Sequence, residues 1–292
     1  MKIIVIGRSG QLAWELARFS NKQDQIVCLG RNDIDLTSQT KIKSTLAALE
    51  ADAVINAAAY TAVDLAESDK ENAYLLNRDA VGHLAQACAQ LSLHLVQVST
   101  DFVFDGNKAS PYLPNDTINP ISVYGASKAA GEQVLLELLP NSSCIIRTSW
   151  VYSVHGNNFV KTMLRLMAEK PQLGIIGDQI GTPTSAKTLA QACLYAAVNQ
   201  VKGIHHWTDA GVASWYDFAV AIQELALSRN MLNKAIAINP ITTSEYPTPA
   251  KRPSYSVLDK TSLANDVAGL SIRHWRVELD EMLDELNSSS IN

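Results

Sequence analysis

The first thirteen residues leave few folds open. Met1-Lys-Ile-Ile-Val-Ile6 is apolar for the length of a strand, Gly7-Arg-Ser-Gly10 interrupts it, and Gln11-Leu-Ala13 starts a helical pattern. A strand that passes through a glycine turn into a helix is the opening of a βαβ unit, and successive units of that kind build a parallel sheet. The alternation continues downstream. Short apolar runs predict strands at Ile3–Ile6, Ile26–Leu29, Ala53–Ala57, Leu93–Val98 and Cys144–Arg147. Helical spacing between them predicts helices near Gln11–Phe19, Thr40–Leu49, Glu71–Leu91 and Val123–Leu139. The runs are apolar throughout rather than alternating, as strands covered on both faces are.

These elements predict an α/β chain: a Rossmann-like doubly wound parallel sheet over residues 1–150, with a smaller C-terminal substrate-binding part. After residue 150 the alternation loosens, and Asp178–Thr184, Trp207–Trp215 and Pro240–Pro253 read as loops, where ligand contacts tend to reside. Residues 151–184 and 203–292 are therefore expected on the substrate side. Lys187–Asn199, within 185–202, reads as a helix returning to the sheet, and Ser288–Asn292 as a polar tail that frays.

Composition narrows the function. A net charge of −5 without basic and aromatic interleaving argues against a nucleic-acid binder. No apolar run approaches the ~18 residues of a membrane span, and no signal peptide precedes the first strand. Cys28, Cys88, Cys144 and Cys193 lie far apart, mostly in apolar runs, and read as thiols of a reducing cytoplasm.

The opening turn is also chemically informative. Gly7 suits the tight turn, Gly10 lets backbone approach a pyrophosphate at the helix N-terminus, and Ala13 is small enough for close helix packing. A carboxylate after the second strand would hold the ribose of NADH, whereas arginines suit the 2′-phosphate of NADPH. Arg8 and Arg31 favour NADPH; Asp33 or Asp35 keeps NADH open, and solvated arginines are the plain alternative.

Tyr124 and Lys128, in Ser122-Val-Tyr-Gly-Ala-Ser-Lys-Ala-Ala-Gly131, lie four apart and so share one helix face. An ammonium within ~4 to 6 Å draws a phenol down from its ordinary pKa near ~10, making it a proton donor for carbonyl reduction. Thr100 follows the fourth strand, at the carboxyl edge where open α/β sheets place ligands. Its hydroxyl is placed either to bond the same carbonyl oxygen or simply to cap a turn.

Together these motifs resemble the extended short-chain dehydrogenase/reductase superfamily and, within it, the dTDP-4-dehydrorhamnose reductases. The resemblance rests on Gly7–Leu12, Asn56–Asp64, Ser99–Gly106, Arg147–Tyr152, Gly156–Val160, Asp178–Thr184 and Pro249–Pro253, in order along the chain. It implies reduction of the 4-keto group of dTDP-4-dehydro-β-L-rhamnose by NADPH in the cytoplasm, for cell-surface polysaccharide (O-antigen) synthesis. By position it implies that Thr100, Tyr124 and Lys128 are catalytic and that Asp101 and Trp150 touch the sugar with Thr100. The cofactor side would comprise Gly7, Arg8, Gly10, Gln11, Leu12, Arg31, Asp35, Leu36, Ala57, Ala58, Ala59 and Tyr60, with Tyr124 and Lys128. Asn77 resembles the asparagine that supports the proton relay.

Each assignment has a plainer rival: Ala57–Ala59 as helix packing, Trp150 as core, Arg252 as a surface arginine rather than a diphosphate ligand. His205-His206 lacks further metal ligands in its neighbourhood of the sequence. Phe102 stands where many relatives have tyrosine. Some relatives hold Mg2+ at a homodimer contact through glutamates; Glu15 and Glu285 match, but Lys187 stands where an acid is expected. The alternatives are a nucleotide-sugar epimerase or dehydratase of the same superfamily, and a non-catalytic NADP-binding regulatory subunit like that of methionine adenosyltransferase. Phe102 in place of a glutamate counts against a dehydratase.

Overall fold

The computed structural model describes residues 1–21, 24–264 and 272–289. From the N-terminus run β1 (Lys2–Ile6), α1 (Gln11–Ala17), β2 (Gln25–Leu29), α2 (Gln39–Ala48), β3 (Ala53–Asn56), α3 (Val63–Ala66), α4 (Lys70–Tyr74), α5 (Ala80–Leu91), β4 (His94–Thr100), α6 (Val123–Leu138) and β5 (Ser143–Thr148). Then follow β6 (Val151–Tyr152), α7 (Phe159–Glu169), β7 (Gln172–Ile176), β8 (Ile180–Gly181), β9 (Thr184–Ser185), α8 (Ala186–Val198), β10 (Gly203–His206), β11 (Ala213–Ser214), α9 (Trp215–Ser228), β12 (Ala237–Ile241), α10 (Thr261–Ala264) and α11 (Trp275–Ser289). Beyond residue 289 the expected polar tail lies outside the described residues.

The central sheet has six parallel strands in the order β10-β5-β4-β3-β1-β2. Successive residues of a strand face opposite ways, so each strand supplies two cores. Ile3, Val5, Ile55 and Val96 pack with Leu12 and Leu16 of α1 and Leu189 and Cys193 of α8. Ile4, Ile6, Val54 and Leu95 pack with Ile42 and Leu46 of α2 and Leu84 and Cys88 of α5. Leu16 and Leu46 are fully buried, each contributing about 2 kcal/mol of apolar transfer. A third core joins α7, α9 and α11 through Met163, Phe218, Ile222 and Leu283, beside the two-stranded β7–β12 ladder.

Two elements depart from expectation. Gly203–His206, expected on the substrate side, pairs with β5 as the sixth strand of the sheet. The run His205-His206 is too short and polar to read as a strand by itself; it is set by tertiary pairing, with His206 Nδ1 3.0 Å from the Asp259 carbonyl oxygen. The helix expected over Glu71–Leu91 is interrupted by a π-turn at Leu75–Asp79, a local widening often found at functional sites.

The order of strands reverses between β1 and β3, since β2 lies to one side of β1 and β3 to the other. Ligands of open α/β sheets bind outside the carboxyl ends of strands at such a reversal. The glycine turn after β1 and the residues after β3 and β4 all lie at that edge.

Candidate functional site

The turn after β1 is built on backbone bonds: Gly7 and Arg8 N–H both donate to the Leu29 carbonyl (2.9 and 3.1 Å), and Gly10 N–H to that of Gly7 (2.8 Å). Gly7 has φ 112°, and a Cβ there would lie 3.0 Å from backbone atoms of Ala57 and Ala58, so the turn passes closely over the end of β3. At Gly10 a Cβ would meet the Gly7 carbonyl oxygen at 3.2 Å, with open space beyond it. That open space above a helix N-terminus fits a phosphate group. Gln11 accepts from Asn158 Nδ2 (2.9 Å), tying the turn to the N-cap of α7. Leu12 packs into the core, leaving its backbone rather than its side chain for the turn.

Beside β2, the rival groups for a 2′-phosphate and a ribose are paired with one another. Arg8 Nη2 lies 2.5 Å from Asp33 Oδ2 and its Nε donates to the Cys28 carbonyl (2.9 Å); Asp33 also accepts from Gly30 N–H (2.7 Å). Arg31 is exposed. Asp35 is committed locally, accepting from Thr37 Oγ1 (2.6 Å) and pairing with Lys41 (3.1 Å), which hold its carboxyl down to about 2. The Leu36 carbonyl meets His83, and its side chain packs on the core. Ala57, Ala58 and Ala59 are half-buried where β3 ends. Tyr60 is clamped by Asn77, which accepts from its N–H (2.9 Å) and donates to its carbonyl (3.1 Å).

At the end of β4, Thr100 Oγ1 accepts from Phe102 N–H (3.2 Å), capping a short 3-10 turn over Asp101–Val103, and donates to Asp101 Oδ1 (3.1 Å). The capping role is seen directly, and the same hydroxyl lies close enough to Tyr124 to lower its phenol. The helix bearing Tyr124 and Lys128 starts at a Ser122 cap (Gly125 N–H to Ser122 Oγ, 3.2 Å), and its first N–H, from Val123, donates to Glu67 (2.8 Å). Two glycines let it approach. A Cβ at Gly125 would lie 2.2 Å from the Phe102 carbonyl oxygen, and one at Gly131 only 2.0 Å from that of Asn77. Asn77, in the π-turn, donates to Ser127 Oγ (2.9 Å), which donates to the Tyr124 carbonyl (2.8 Å).

The same helix face is zipped to the sheet by Lys128 and by Glu132 one turn on. Lys128 Nζ donates to the Val98 carbonyl (2.7 Å). One turn later Glu132 accepts from Ser99 Oγ (2.5 Å) and takes a bidentate bond from Arg147 (2.6 and 3.0 Å). Glu132, at the fourth residue past Lys128, was legible as a third member of that helix face.

Burial sets the electrostatics. It pushes Tyr124 up to about 12, with the Asp101 charge adding and the Thr100 hydrogen bond opposing. The expected lowering of the phenol by Lys128 is not present: the ammonium is turned to Val98, and burial brings Lys128 itself down to about 8, with Glu132 opposing. Burial likewise raises Asp101 to about 6.

Trp150 has φ 47°, a left-handed backbone unusual for a bulky residue. Its indole stacks on Trp215 (centroids 3.6 Å apart), and Gly181 makes room, since a Cβ there would lie 2.8 Å from the ring. Trp150 thus packs Gly181 and the first residue of α9 beside the end of β5.

The glutamates expected to hold Mg2+ are occupied by cations of the chain. Arg18 pairs with both Glu15 (3.2 Å) and Glu285 (2.8 Å), Lys187 with Glu281 (3.6 Å), and Arg273 with Glu278 (2.6 Å). Among the described residues no group of three or more acidic, histidine or cysteine side chains is arranged to hold a metal. The residues at this contact do not fit a metal ion.

A family model described as the RmlD substrate binding domain matches residues 1–288. The chain belongs to this family. It is 40% identical over 283 residues to a dTDP-4-dehydrorhamnose reductase of Aggregatibacter actinomycetemcomitans, covering 94% of this chain and 96% of that one. A solved dTDP-4-dehydrorhamnose reductase from Clostridium acetobutylicum has a TM-score of 0.91 at 38% identity, covering 98% and 99% of the two chains. Another, from Bacillus anthracis in complex with NADP, has a TM-score of 0.90 at 33% identity, covering 97% and 99%. Within the RmlD family the chain is an NAD(P)H-dependent oxidoreductase built on the Rossmann-type sheet. Among the described residues no helix is long and apolar enough to cross a membrane.

Proposed function

We propose that this chain reduces the 4-keto group of dTDP-4-dehydro-β-L-rhamnose to give dTDP-L-rhamnose, with NADPH as the donor. The observation that carries the reading is the meeting of Thr100, Tyr124 and Lys128 on one sheet edge, beside a glycine turn open to a phosphate. NADPH, when bound, supplies the hydride to the keto carbon. The backbone of Gly7–Leu12 holds the diphosphate, Ala57–Tyr60 line the adenosine side, and Arg8 with Arg31 meets the 2′-phosphate.

Tyr124 gives its phenolic proton to the carbonyl oxygen as that oxygen gains charge. Thr100 Oγ1, turned away from Asp101, to which it donates in the free chain, gives a second hydrogen bond to the same oxygen and fixes its direction. A phenol is already protonated at neutral pH, and burial, which raises Tyr124 further, holds the proton until the carbonyl oxygen gains charge. Lys128, released from the Val98 carbonyl, binds the nicotinamide ribose and supports the phenolate left behind. Asn77 and Ser127 form the hydrogen-bonded path by which Tyr124 is held. Asp101 and Trp150 contact the sugar. The work is done in the cytoplasm by a homodimer, and the product enters cell-surface polysaccharide such as O-antigen.

The test mixes the chain with NADPH and a dTDP-4-keto-6-deoxy sugar, together with the epimerase that precedes this step, and follows nicotinamide absorbance. Stoichiometric NADPH oxidation with formation of dTDP-L-rhamnose is expected. Tightly retained NAD with no net NADPH consumption would instead mark an epimerase. The ratio of KM for NADPH to that for NADH reads the contribution of Arg8 and Arg31.

A further inference from the structure

Residues 249–256, Pro-Ala-Lys-Arg-Pro-Ser-Tyr-Ser, form a strap with no helix or long strand of its own. It is tied to several parts of the site at once. Arg252 forks onto Asp64, with Nη1 3.0 Å from Oδ1 and Nη2 2.9 Å from Oδ2, and Ala250 N–H donates to the same carboxylate (3.2 Å). Arg252 Nη1 is also bonded to Thr248 Oγ1 (2.6 Å), so the guanidinium staples its own loop as well.

Further along, the strap crosses the catalytic edge. Ser254 Oγ donates to the Gly106 carbonyl (3.1 Å), at the end of the loop that begins with Thr100 and Asp101. Gly106 has φ 84°, and a Cβ there would sit 2.7 Å from Ser254 N and 2.8 Å from Pro253 Cα. The strap then pairs with β8, Ile180 N–H donating to the Ser254 carbonyl and Ser256 N–H to that of Ile180, both 2.8 Å. Ser256, itself buried, lies on the side of the buried Asp101 and works against the rise that burial imposes on that carboxyl. At the other end of the fork, α3 carries Asp64 and is capped by Glu67, which holds the first N–H of the Tyr124 helix.

We propose that the Asp64–Arg252 pair is a clasp that fixes this strap across the catalytic edge, making Arg252 a positioning residue for the sugar nucleotide. Ser256 and Asp101 on one side and Ile180–Gly181 beneath Trp150 on the other are held in register by it. The clasp rests on the reductase reading for the identity of the substrate, but not for its own existence. A planar fork matched to a carboxylate gives geometry as well as attraction, and Lys cannot reproduce it. Half-buried as both partners are, the pair is a weak source of stability; its role is register.

The experiment compares Asp64→Asn, Arg252→Met, Arg252→Lys and the double variant Asp64→Asn/Arg252→Met in the full chain. KM for the keto sugar nucleotide, kcat, NADPH affinity and hydrogen exchange over 249–256 are measured. Each single variant should raise the sugar KM about tenfold, the loss of one charge-assisted hydrogen bond. The double variant should be no worse than the singles, Arg252→Lys should fall between, and NADPH affinity should not move. Exchange over 249–256 should be faster in Asp64→Asn. A raised KM in Arg252→Met with an unchanged one in Asp64→Asn would mean that Arg252 touches the substrate diphosphate itself, overturning the clasp. Unaltered exchange in Asp64→Asn would also overturn it. A parent chain that fails to turn over the keto sugar, with faster exchange in Asp64→Asn, would sink the reductase reading and leave the clasp standing.

Discussion

Gly131 lies two turns along the helix from Tyr124 and touches no reacting group, yet Gly131→Ala should be among the more damaging small substitutions in this chain. Its Cβ would fall 2.0 Å from the Asn77 carbonyl oxygen, whereas ordinary contact begins at 3.4 Å. The two backbones must therefore separate by about 1.4 Å, the gap between those distances. Asn77 is held on several sides, by both backbone groups of Tyr60 and by Ser127, so the displacement falls on α6, which carries Tyr124 and Lys128. A misplacement of about 1 Å at reacting groups costs about 10²-fold in rate, and overpacking of this kind costs about 1–3 kcal/mol in stability. The assay is NADPH oxidation with the keto sugar nucleotide, alongside thermal unfolding. Gly203→Ala is the control: its φ of 93° strains an alanine, but no neighbour lies within 4 Å, so Tm falls while kcat stays near the parent value. A Gly131→Ala enzyme that loses Tm but keeps its kcat, as the control does, would refute the reasoning.

Two further outcomes follow from the same site. Burial lowers Lys128 from 10.5 to about 8, so the folded chain gives up this proton before the unfolded chain does, and stability rises as pH climbs through that window. Unfolding measured from neutral to alkaline pH should therefore show the parent gaining on Lys128→Met between pH 8 and 10.5, by up to about 3 kcal/mol; parallel curves would be contrary. Gly7→Ala forces a Cβ to 3.0 Å from the Ala57 and Ala58 backbone at φ 112°, and should weaken NADPH binding at least about tenfold by fluorescence titration, since the turn can no longer seat closely against β3. An unchanged affinity would mean that the turn does not hold the dinucleotide.

The sheet was legible because its strands are buried on both faces. Ile3–Ile6, Val54–Ile55 and Leu95–Val96 are apolar at every position, a pattern that does not depend on knowing the partner. β10 was not legible, because Gly203-Ile-His-His206 has neither the length nor the composition of a core strand and owes its conformation to β5. Helix spacing located Tyr124 and Lys128 on one face, but it could not report which way the ammonium turns; a backbone acceptor, the Val98 carbonyl, decides that. Likewise the sequence offered Arg8 and Asp33 as competing cofactor ligands, and only three-dimensional proximity makes them an ion pair. The π-turn that presents Asn77 left no signal, since a one-residue widening preserves amphipathic spacing over most of a helix. The strap anchored by Arg252 bonds to Asp64, a residue 188 positions away in sequence, and long-range pairing of that kind is invisible to local pattern.

The proton donor is the center of the chemistry proposed for this chain, and a single-turnover comparison reads it directly. With enzyme in excess over the keto sugar nucleotide and NADPH saturating, Tyr124→Phe should slow cofactor oxidation about 10²- to 10⁴-fold, while NADPH affinity and Tm stay near those of the parent. Equal rates of cofactor oxidation in the two proteins would contradict the assignment of Tyr124 as the acid.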